Sequence, residues 1–536
     1  MDKVEFEKLE GATMLAINQI IEKGCDDIFK PPVFSSSLEH QIILANKDDF
    51  IKRARSETIR FIQKANLEES KIGEVRKSLV AKDQYTFRQV CWLDPFDAVK
   101  YLTLCILLFE KIEAARIPRE KKIVHSHRAS TNSGELFDSA FGYDSFRARS
   151  GELSRDHIGK WKIITDISNF FDRIGNHSLE NHLRNIGCDQ RYTTLLREIL
   201  YYWSGDRRSY GLPVGSDASR IVSEAVLIDI DKKLVEKNIQ FVRYVDDFRI
   251  FADTRSQAYQ YMQYLTALLA DEGLSVNSKK TRIFQVVDES ELHVETAIPG
   301  GEHEAIDLEM KIEVRSVRFV SGRSSISKYY KRPGKDALDK IKRNSRDAIL
   351  ARLDNALPEE EEDLIKLAVK YFVYVESDVE ILQRLIARKI TTVFYIVDAL
   401  VKEADNIDAA VRNEAKLALL EAIDINTAAY PFIIPLIRLT TTEGYRDSSV
   451  VSSVIDKHKI DDNILFFKEA IALGFSGLDR ARIRKLALEV FNTVPACVRR
   501  TIYHAVQNNS ELTANEKHPL LKNMKQGPDD WFINRM

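Results

Sequence analysis

FVRYVDDFRIF, residues Phe241–Phe251, sets two adjacent carboxylates, Asp246 and Asp247, between two short apolar and aromatic runs. Runs rich in Val, Ile, Phe and Tyr favour strands, and an Asp pair that interrupts them suits a tight connection, so the stretch predicts a hairpin with charge at its tip. Two carboxylates held side by side repel each other. A folded chain keeps such a pair for solvent or for a divalent cation. An isolated Asp-Asp pair is most often a solvated turn, and the surrounding sequence is what changes that reading.

Upstream, WKIITDISNFFDRI (Trp161–Ile174) predicts a buried strand with Asp166 at its C-terminal end, followed by two aromatics. Between the two acidic elements lies GLPVGSDASRIVSEAVLIDID (Gly211–Asp231), a Gly/Pro turn that leads into a helix with Ser216 or Ser219 placed to cap it. After the hairpin comes a helical run and then GLSVNSKKTRIF (Gly273–Phe284). The order is acid strand, Gly-rich turn and helix, acid hairpin, helix, and a lysine-bearing segment.

These four segments resemble motifs A to D of a reverse-transcriptase palm, and the likeness spans roughly residues 110–290. Nucleotidyl transfer develops negative charge on both the attacking and the leaving oxygen, which two cations about 3.5–4 Å apart stabilise together. Mg²⁺ prefers oxygen ligands and keeps waters and substrate phosphates in its shell, so a few Asp side chains suffice to hold it. The resemblance implies Asp166 and Asp246 as principal ligands of Mg²⁺ (or Mn²⁺), Asp247 as the third carboxylate, and the backbone carbonyl of Ile167 as a further contact. It implies that Phe171 stands where an aromatic blocks a ribose 2′-hydroxyl, so that the substrate is a dNTP. Gly215 belongs to the nucleotide-binding turn, and Lys280, with Lys279 as its rival, stands near the triphosphate. Asp172 and Asp189 read as capping or surface acids.

ARIPREKKIVHSHR (Ala115–Arg128) resembles the fingers segment of bacterial reverse transcriptases and makes Arg128 a candidate triphosphate contact, since guanidinium offers phosphate a bidentate fork. Arg147 and Arg149 are further candidates, whereas Lys121 and Lys122 read as a solvated turn. One departure matters. Template-copying families commonly carry GxPQG in motif B and a proline after the following serine, whereas this chain has Val214 and Arg220. Valine cannot hydrogen-bond around an incoming nucleotide, which sets ordinary templated copying in doubt without touching the metal chemistry.

The 536 residues suffice for two or three domains, and 44% hydrophobic with 30% charged residues is ordinary for a globular protein. No apolar run reaches the roughly 18 residues of a membrane span, and the acidic start MDKVEFEKLEG does not suit a secretory signal, so a cytoplasmic location without membrane attachment is expected. Five scattered cysteines without CxxC spacing argue against zinc and against a disulfide framework. A net charge of −2 is low for a chain that grips a long duplex. SGRSSISKYYKRPGKDALDKIKR mixes Tyr329 and Tyr330 with Arg323, Lys328, Lys331, Arg332 and Lys335, following Arg315 and Arg318. It reads as a solvated linker, or alternatively as a single-strand grip.

Beyond about residue 335, Asp336–Ala356, Glu359–Val375, Asp378–Arg388, Thr391–Ala404 and Ala409–Ile423 repeat apolar residues at three- and four-residue spacing, which predicts helix after short helix. Glu359–Asp363 suits a helix start, and Pro431, Pro435 and Pro495 suit helix ends or kinks. The expected fold is therefore α+β, with reverse-transcriptase-like fingers and palm followed by an all-α HEAT-like helical repeat domain. Residues 1–335 form the first part (N-terminal helical region and fingers 1–160, palm 161–290, connecting or thumb-like segment 291–335) and 336–536 the second.

A reverse-transcriptase palm joined to a long helical region resembles the bacterial abortive-infection (Abi) reverse transcriptases, a defence-associated group. That resemblance implies antiphage defence by a homo-oligomeric DNA polymerase. Its synthesis would be template-independent and primed by a protein hydroxyl, leaving single-stranded DNA covalently attached. Ser35, Ser36 and Ser37 offer hydroxyls but read more simply as a helix-capping turn. A conventional RNA-templated enzyme working with a partner RNA, in the manner of retrons, is the alternative. A non-enzymatic helical scaffold with a vestigial palm is the third reading.

Overall fold

The computed structural model describes residues 2–25, 37–64, 67, 72–82, 85–132, 134–205, 209–286, 329–354, 361–457, 463–527 and 529–536. Arg315, Arg318, Arg323 and Lys328, most of the expected connecting segment, and Ser35 and Ser36 lie outside the described residues. The chain divides into two compact units. The first comprises Met1–Asp27, Lys47–Val75 and Leu93–Ala305, and the second Ile28–Asn46, Arg76–Trp92 and Ile306–Met536.

In the first unit, α1 (Lys3–Lys23) opens on a capping box between Asp2 and Glu5. It packs with α3 (Lys47–Lys64) on α4 (Pro95–Ala115), whose start has Asp94 as cap and a proline in the first turn. The expected palm region holds a four-stranded antiparallel sheet of β3 (Trp161–Asp166), β4 (Gln240–Tyr244), β5 (Asp247–Ala252) and β6 (Arg282–Gln285) in the order β4-β5-β3-β6. The strand register pairs Asp166 with Asp247 and Tyr244 with Asp247. Because side chains alternate along a strand, Asp166, Tyr244, Asp247, Arg249 and Phe251 share one face. That face is covered by α5 (Tyr143–Asp156), whose Phe146 and Leu153 join Val242 and Phe251 in a small core.

Four helices complete the connections: α6 (Phe170–Arg173), α7 (Asn176–Asn185), α8 (Gln190–Ser204) and α9 (Asp217–Glu236). Asp189 caps α8 and Ser216 caps α9. After β5, α10 (Arg255–Asp271) returns along β3 and β5.

The second unit includes the hairpin β1 (Arg76–Ala81) and β2 (Phe87–Trp92) and the helix α2 (Leu38–Ala45), capped by Ser37. Its remaining helices follow closely: α11 (Lys335–Lys342), α12 (Arg346–Asp354), α13 (Glu361–Tyr374), α14 (Val379–Arg388), α15 (Thr392–Lys402), α16 (Ala409–Ala422), α17 (Tyr430–Thr441), α18 (Ser448–Lys457), α19 (Ile464–Gly474), α20 (Arg480–Lys485), α21 (Ala496–Asn508), α22 (Ala514–Met524) and α23 (Trp531–Arg535). Alternate members stack in series: α13 on α15, α15 on α17, α17 on α19 and α19 on α21, while α14 packs on α16 outside that row. One continuous core of Ile, Leu, Val and Phe runs through the row and takes in Val80, Val90 and Trp92 of the hairpin.

The expected helix Asp336–Ala356 is two helices, because Ser345 supplies a new start through its carbonyl and hydroxyl. Pro431 sits in the first turn of α17 and Pro495 caps α21, but Pro435 is inside α17. The hairpin β1–β2 falls in the helical unit rather than with the expected fingers, since Val80, Ala81, Val90 and Trp92 are buried in that unit's core, and α2 packs on α23 of the same unit.

Candidate active site

The β4–β5 connection is only Val245 and Asp246. Val245 has φ +55°, and Asp246 is not among the residues with positive φ. A two-residue hairpin of this kind favours glycine at its first position. A β-branched residue held there stores on the order of 1–3 kcal/mol of backbone strain. The turn is anchored from three sides. The Ile167 N–H donates to the Asp246 carbonyl at 3.0 Å, Tyr244 pairs with Asp247, and Arg243 Nη1 donates to the Val245 carbonyl at 2.8 Å.

Asp166 ends β3 beside this turn. Its carbonyl accepts the Asn277 N–H at 2.7 Å, and its carboxylate accepts from Lys280 Nζ at 3.0 Å and Asn277 Nδ2 at 3.4 Å. The segment after α10 is thereby stitched to β3, as the Ile167–Val276 bridge also shows. Asp247 is clasped by Arg249, whose Nη2 donates at 3.0 Å while Nη1 makes a second, shorter bond. Burial and the nearby charge of Asp166 push the Asp246 carboxyl up to about 7. Burial likewise raises Asp247, although Arg249 opposes the rise. Asp246 thus carries the least compensated charge of the three, which is the electrostatic setting a cation would relieve. Among the described residues no three His, Cys, Asp or Glu side chains converge into a ready-made metal cage.

The turn before α9 lies against the segment after β3. The Leu212 N–H donates to the Phe171 carbonyl and the Gly211 N–H to the Ile174 carbonyl, both at 2.8 Å. A Cβ on Gly211 would stand 3.5 Å from the Asp172 carbonyl oxygen, and φ +104° itself requires glycine. Ser219 Oγ donates to the Pro213 carbonyl at 2.7 Å and fixes the loop carrying buried Val214 and Gly215, the latter with φ +110°. Phe171, half-buried and 5.5 Å from the Phe170 ring, is tied through its backbone to this loop.

Arg128 and Tyr330 depart from their expected roles. Arg128 offers no fork to phosphate: it is 1% exposed, and its guanidinium donates to Glu113 at 3.2 Å and to the carbonyls of Val124 and Ile117. Lys280 holds Asp166 rather than standing free, while Lys279 is exposed. Arg149 pairs with Glu152 at the surface, and Arg147 is exposed. Tyr330 is no stacking platform, being 3% exposed with its N–H on Asp398 at 2.8 Å; Arg332 pairs with Glu403.

Sequence reasoning missed a buried ionic cluster behind the turn. Arg243 donates to both oxygens of Asp231 (2.9 and 2.6 Å) and to Glu224 (3.0 Å). Glu224 also accepts from Arg116 at 2.9 Å and from Ser126 Oγ at 2.6 Å. Burial alone would raise the Glu224 carboxyl, but Arg116 and Arg243 hold it down to about 2. A signal was present: two acids seven positions apart in the apolar stretch IVSEAVLIDID lie on one helix face and call for a buried cation.

Residues 121–321 match the reverse transcriptase (RNA-dependent DNA polymerase) family, which is less than half of the 536 residues. The retron Ec86 reverse transcriptase of Escherichia coli is 24% identical over 132 residues, covering 24% of this chain and 39% of that protein, so the chain spans well under half of that relative's length. Among solved structures, telomerase from Candida albicans with a telomeric RNA fragment aligns at 13% identity and TM-score 0.30, over 72% of this chain and 68% of that one. Apo telomerase from Candida tropicalis aligns at 12% identity and TM-score 0.30, over 67% and 68%. The matched segment is a reverse-transcriptase domain, an RNA-directed DNA polymerase-like nucleotidyltransferase module.

Proposed function

We propose that the chain is a metal-dependent DNA polymerase that acts in antiphage abortive infection, building DNA from dNTPs without a template and from a protein hydroxyl. The observation that carries the polymerase reading is the register that sets Asp166 beside Asp247, with Asp246 at the tip of the adjoining turn. Asp166 and Asp246 are the residues to hold Mg²⁺ or Mn²⁺, with Asp247 steadied by Arg249 as the third carboxylate and the Ile167 carbonyl in reach of the same end of β3. When bound, the cations supply charge neutralisation for the attacking and leaving oxygens.

The chain's own groups then position the reactants. Phe171 crowds the sugar and excludes a 2′-hydroxyl, and the Gly215 turn admits the nucleotide close to backbone. Lys280, whose ammonium donates to Asp166 at 3.0 Å, would neutralise triphosphate charge at the same end of β3. Nucleotidyl transfer needs little else from a protein beyond positioning and charge. Buried, apolar Val214 supports the untemplated reading because it offers no hydrogen bond toward a template-paired nucleotide. The stacked helix rows of the second unit support the abortive-infection architecture, with HEAT-like pairs and a homo-oligomeric, cytoplasmic assembly; no helix among the described residues is long and apolar enough to cross a membrane.

A second reading, RNA-templated synthesis with a partner RNA, is favoured by the likeness to the retron enzyme. The deciding experiment incubates nuclease-treated protein with Mg²⁺ and each labelled dNTP, without template or primer, beside an Asp246→Asn control, followed by a denaturing protein gel. Label that stays with the wild-type protein and is absent from the variant supports protein priming. Label that appears only after RNA and primer are added replaces it with the templated reading.

A further inference from the structure

Arg243 is bonded through every polar group it owns. Its N–H donates to the Ile123 carbonyl at 2.8 Å and its carbonyl accepts from the His125 N–H at 2.9 Å, which lays the segment after α4 along the outer edge of β4. Its guanidinium holds Asp231 and Glu224 of α9, and its remaining fork donates to the Val245 carbonyl. Arg243 is 0% exposed, as is Glu224. A cation this deep is retained only if its partners compensate its lost hydration, and here two carboxylates, Asp231 and Glu224, face the one guanidinium. The Val245 carbonyl is neutral and so is not part of that ion pairing. What the bond does is hold a peptide unit whose residue sits at φ +55°, a conformation valine does not keep unaided. The next residue is Asp246.

We infer that Arg243, backed by Glu224, is a positioning residue for the reaction: it pins the Val245–Asp246 peptide so that the Asp246 carboxylate faces Asp166. The inference rests on the polymerase reading given above. Through Ser126 and Arg116, which share Glu224, the same pin reaches the fingers segment, whose His127 carbonyl also accepts from Arg116 at 3.1 Å. A lysine in place of Arg243 keeps the charge but has no planar fork to serve Asp231, Glu224 and the carbonyl together. A glycine in place of Val245 takes the left-handed conformation without being held.

The test compares full-length wild type, Arg243→Lys, Val245→Gly, the double variant and Glu224→Gln, with Asp246→Asn as blank. Turnover, the KM for dNTP and hydrogen exchange of peptides covering Ile167 and residues 244–248 are measured on each. Arg243→Lys is expected to lower kcat about 10- to 100-fold with KM within about twofold, the size expected when a reacting group is displaced by ~1 Å. Exchange at Ile167, whose N–H is bonded to the Asp246 carbonyl, speeds up in parallel. Adding Val245→Gly restores several-fold of the lost kcat. Wild-type kcat in Arg243→Lys, unchanged exchange at Ile167, or no recovery in the double variant overturns the inference. If Arg243→Lys does not fold by circular dichroism, Glu224→Gln carries the comparison: lower kcat with faster Ile167 exchange supports it, and unchanged values of either overturn it. A wild-type protein that incorporates no nucleotide sinks the polymerase reading alone, and the exchange comparison still decides whether Arg243 pins the turn.

Discussion

The two units each bury a small set of charges, and the sets are built for different ends. In the first, Arg243, Glu224, Asp231 and Arg116 surround a strained turn, and one guanidinium donor is directed at a backbone carbonyl beside Asp246. In the second, Glu39 of α2 meets Lys468 of α19 at 3.2 Å, and Arg500 of α21 meets Asp530 at 2.9 Å with the Phe532 ring 4.0 Å away. There the charges tie segments distant in sequence into one core, and Asp530 also caps α23. Equal burial therefore does not mean equal purpose. A charge cluster that serves a backbone conformation should alter chemistry when disturbed, and one that serves packing should alter stability alone.

The largest effect expected is that of Asp246→Asn, which abolishes incorporation. Because burial and Asp166 raise this carboxyl, removing its charge relieves repulsion, and the thermal midpoint holds or rises. Residual polymerisation above background would remove Asp246 from the metal site. Next comes Lys468→Met, which leaves buried Glu39 with only the more distant Arg500, 3.8 Å away, and costs about 3–5 kcal/mol. Denaturant titration of the unit should show the loss, while turnover per folded molecule is unchanged. A fall in turnover matching that of Arg243→Lys would erase the contrast between the clusters.

Phe171→Ala should admit ribonucleotides, narrowing the discrimination between dNTP and NTP by on the order of tenfold, or ~1.4 kcal/mol. Unchanged sugar selectivity would strip Phe171 of its gate role. The smallest effect concerns His182. Burial lowers its pKa, but the hydrogen bond and charge of Glu272 at 2.8 Å and the charge of Asp229 outweigh burial and raise it overall. A histidine with a raised folded pKa contributes stability that is full below its unfolded value near 6.5 and is lost as pH rises through the folded value. His182→Gln should flatten that part of the stability–pH curve, by ~1 kcal/mol or less for a partly solvated pair.

The hairpin at Tyr244–Asp247, the Asp166 strand and the Ser216 cap were legible because each is specified by residues close together in sequence. The succession of short helices after residue 335 was legible from periodicity alone. What escaped depended on partners far along the chain. Arg128 looked like a phosphate ligand because its acceptor, Glu113, belongs to the end of α4 and the carbonyls it serves carry no side-chain signature. Tyr330 looked like part of a basic, solvated stretch because Asp398 and Tyr374, which receive it, lie in helices further on. Lys280 was placed by its likeness to the family's lysine, and it stands at the expected end of β3 with its ammonium on Asp166.

The bridge between Val124 and Arg243 has one more consequence. Strands at the margin of a sheet invite foreign strands to add on, and proteins that must stay soluble close them off. With Ile123 and His125 occupying the outward hydrogen-bonding groups of Arg243, the margin of the hairpin is closed at that position to a second chain. A mutation that peels away the segment around Val124 would uncover those groups and create an aggregation seam beside the Asp246 turn.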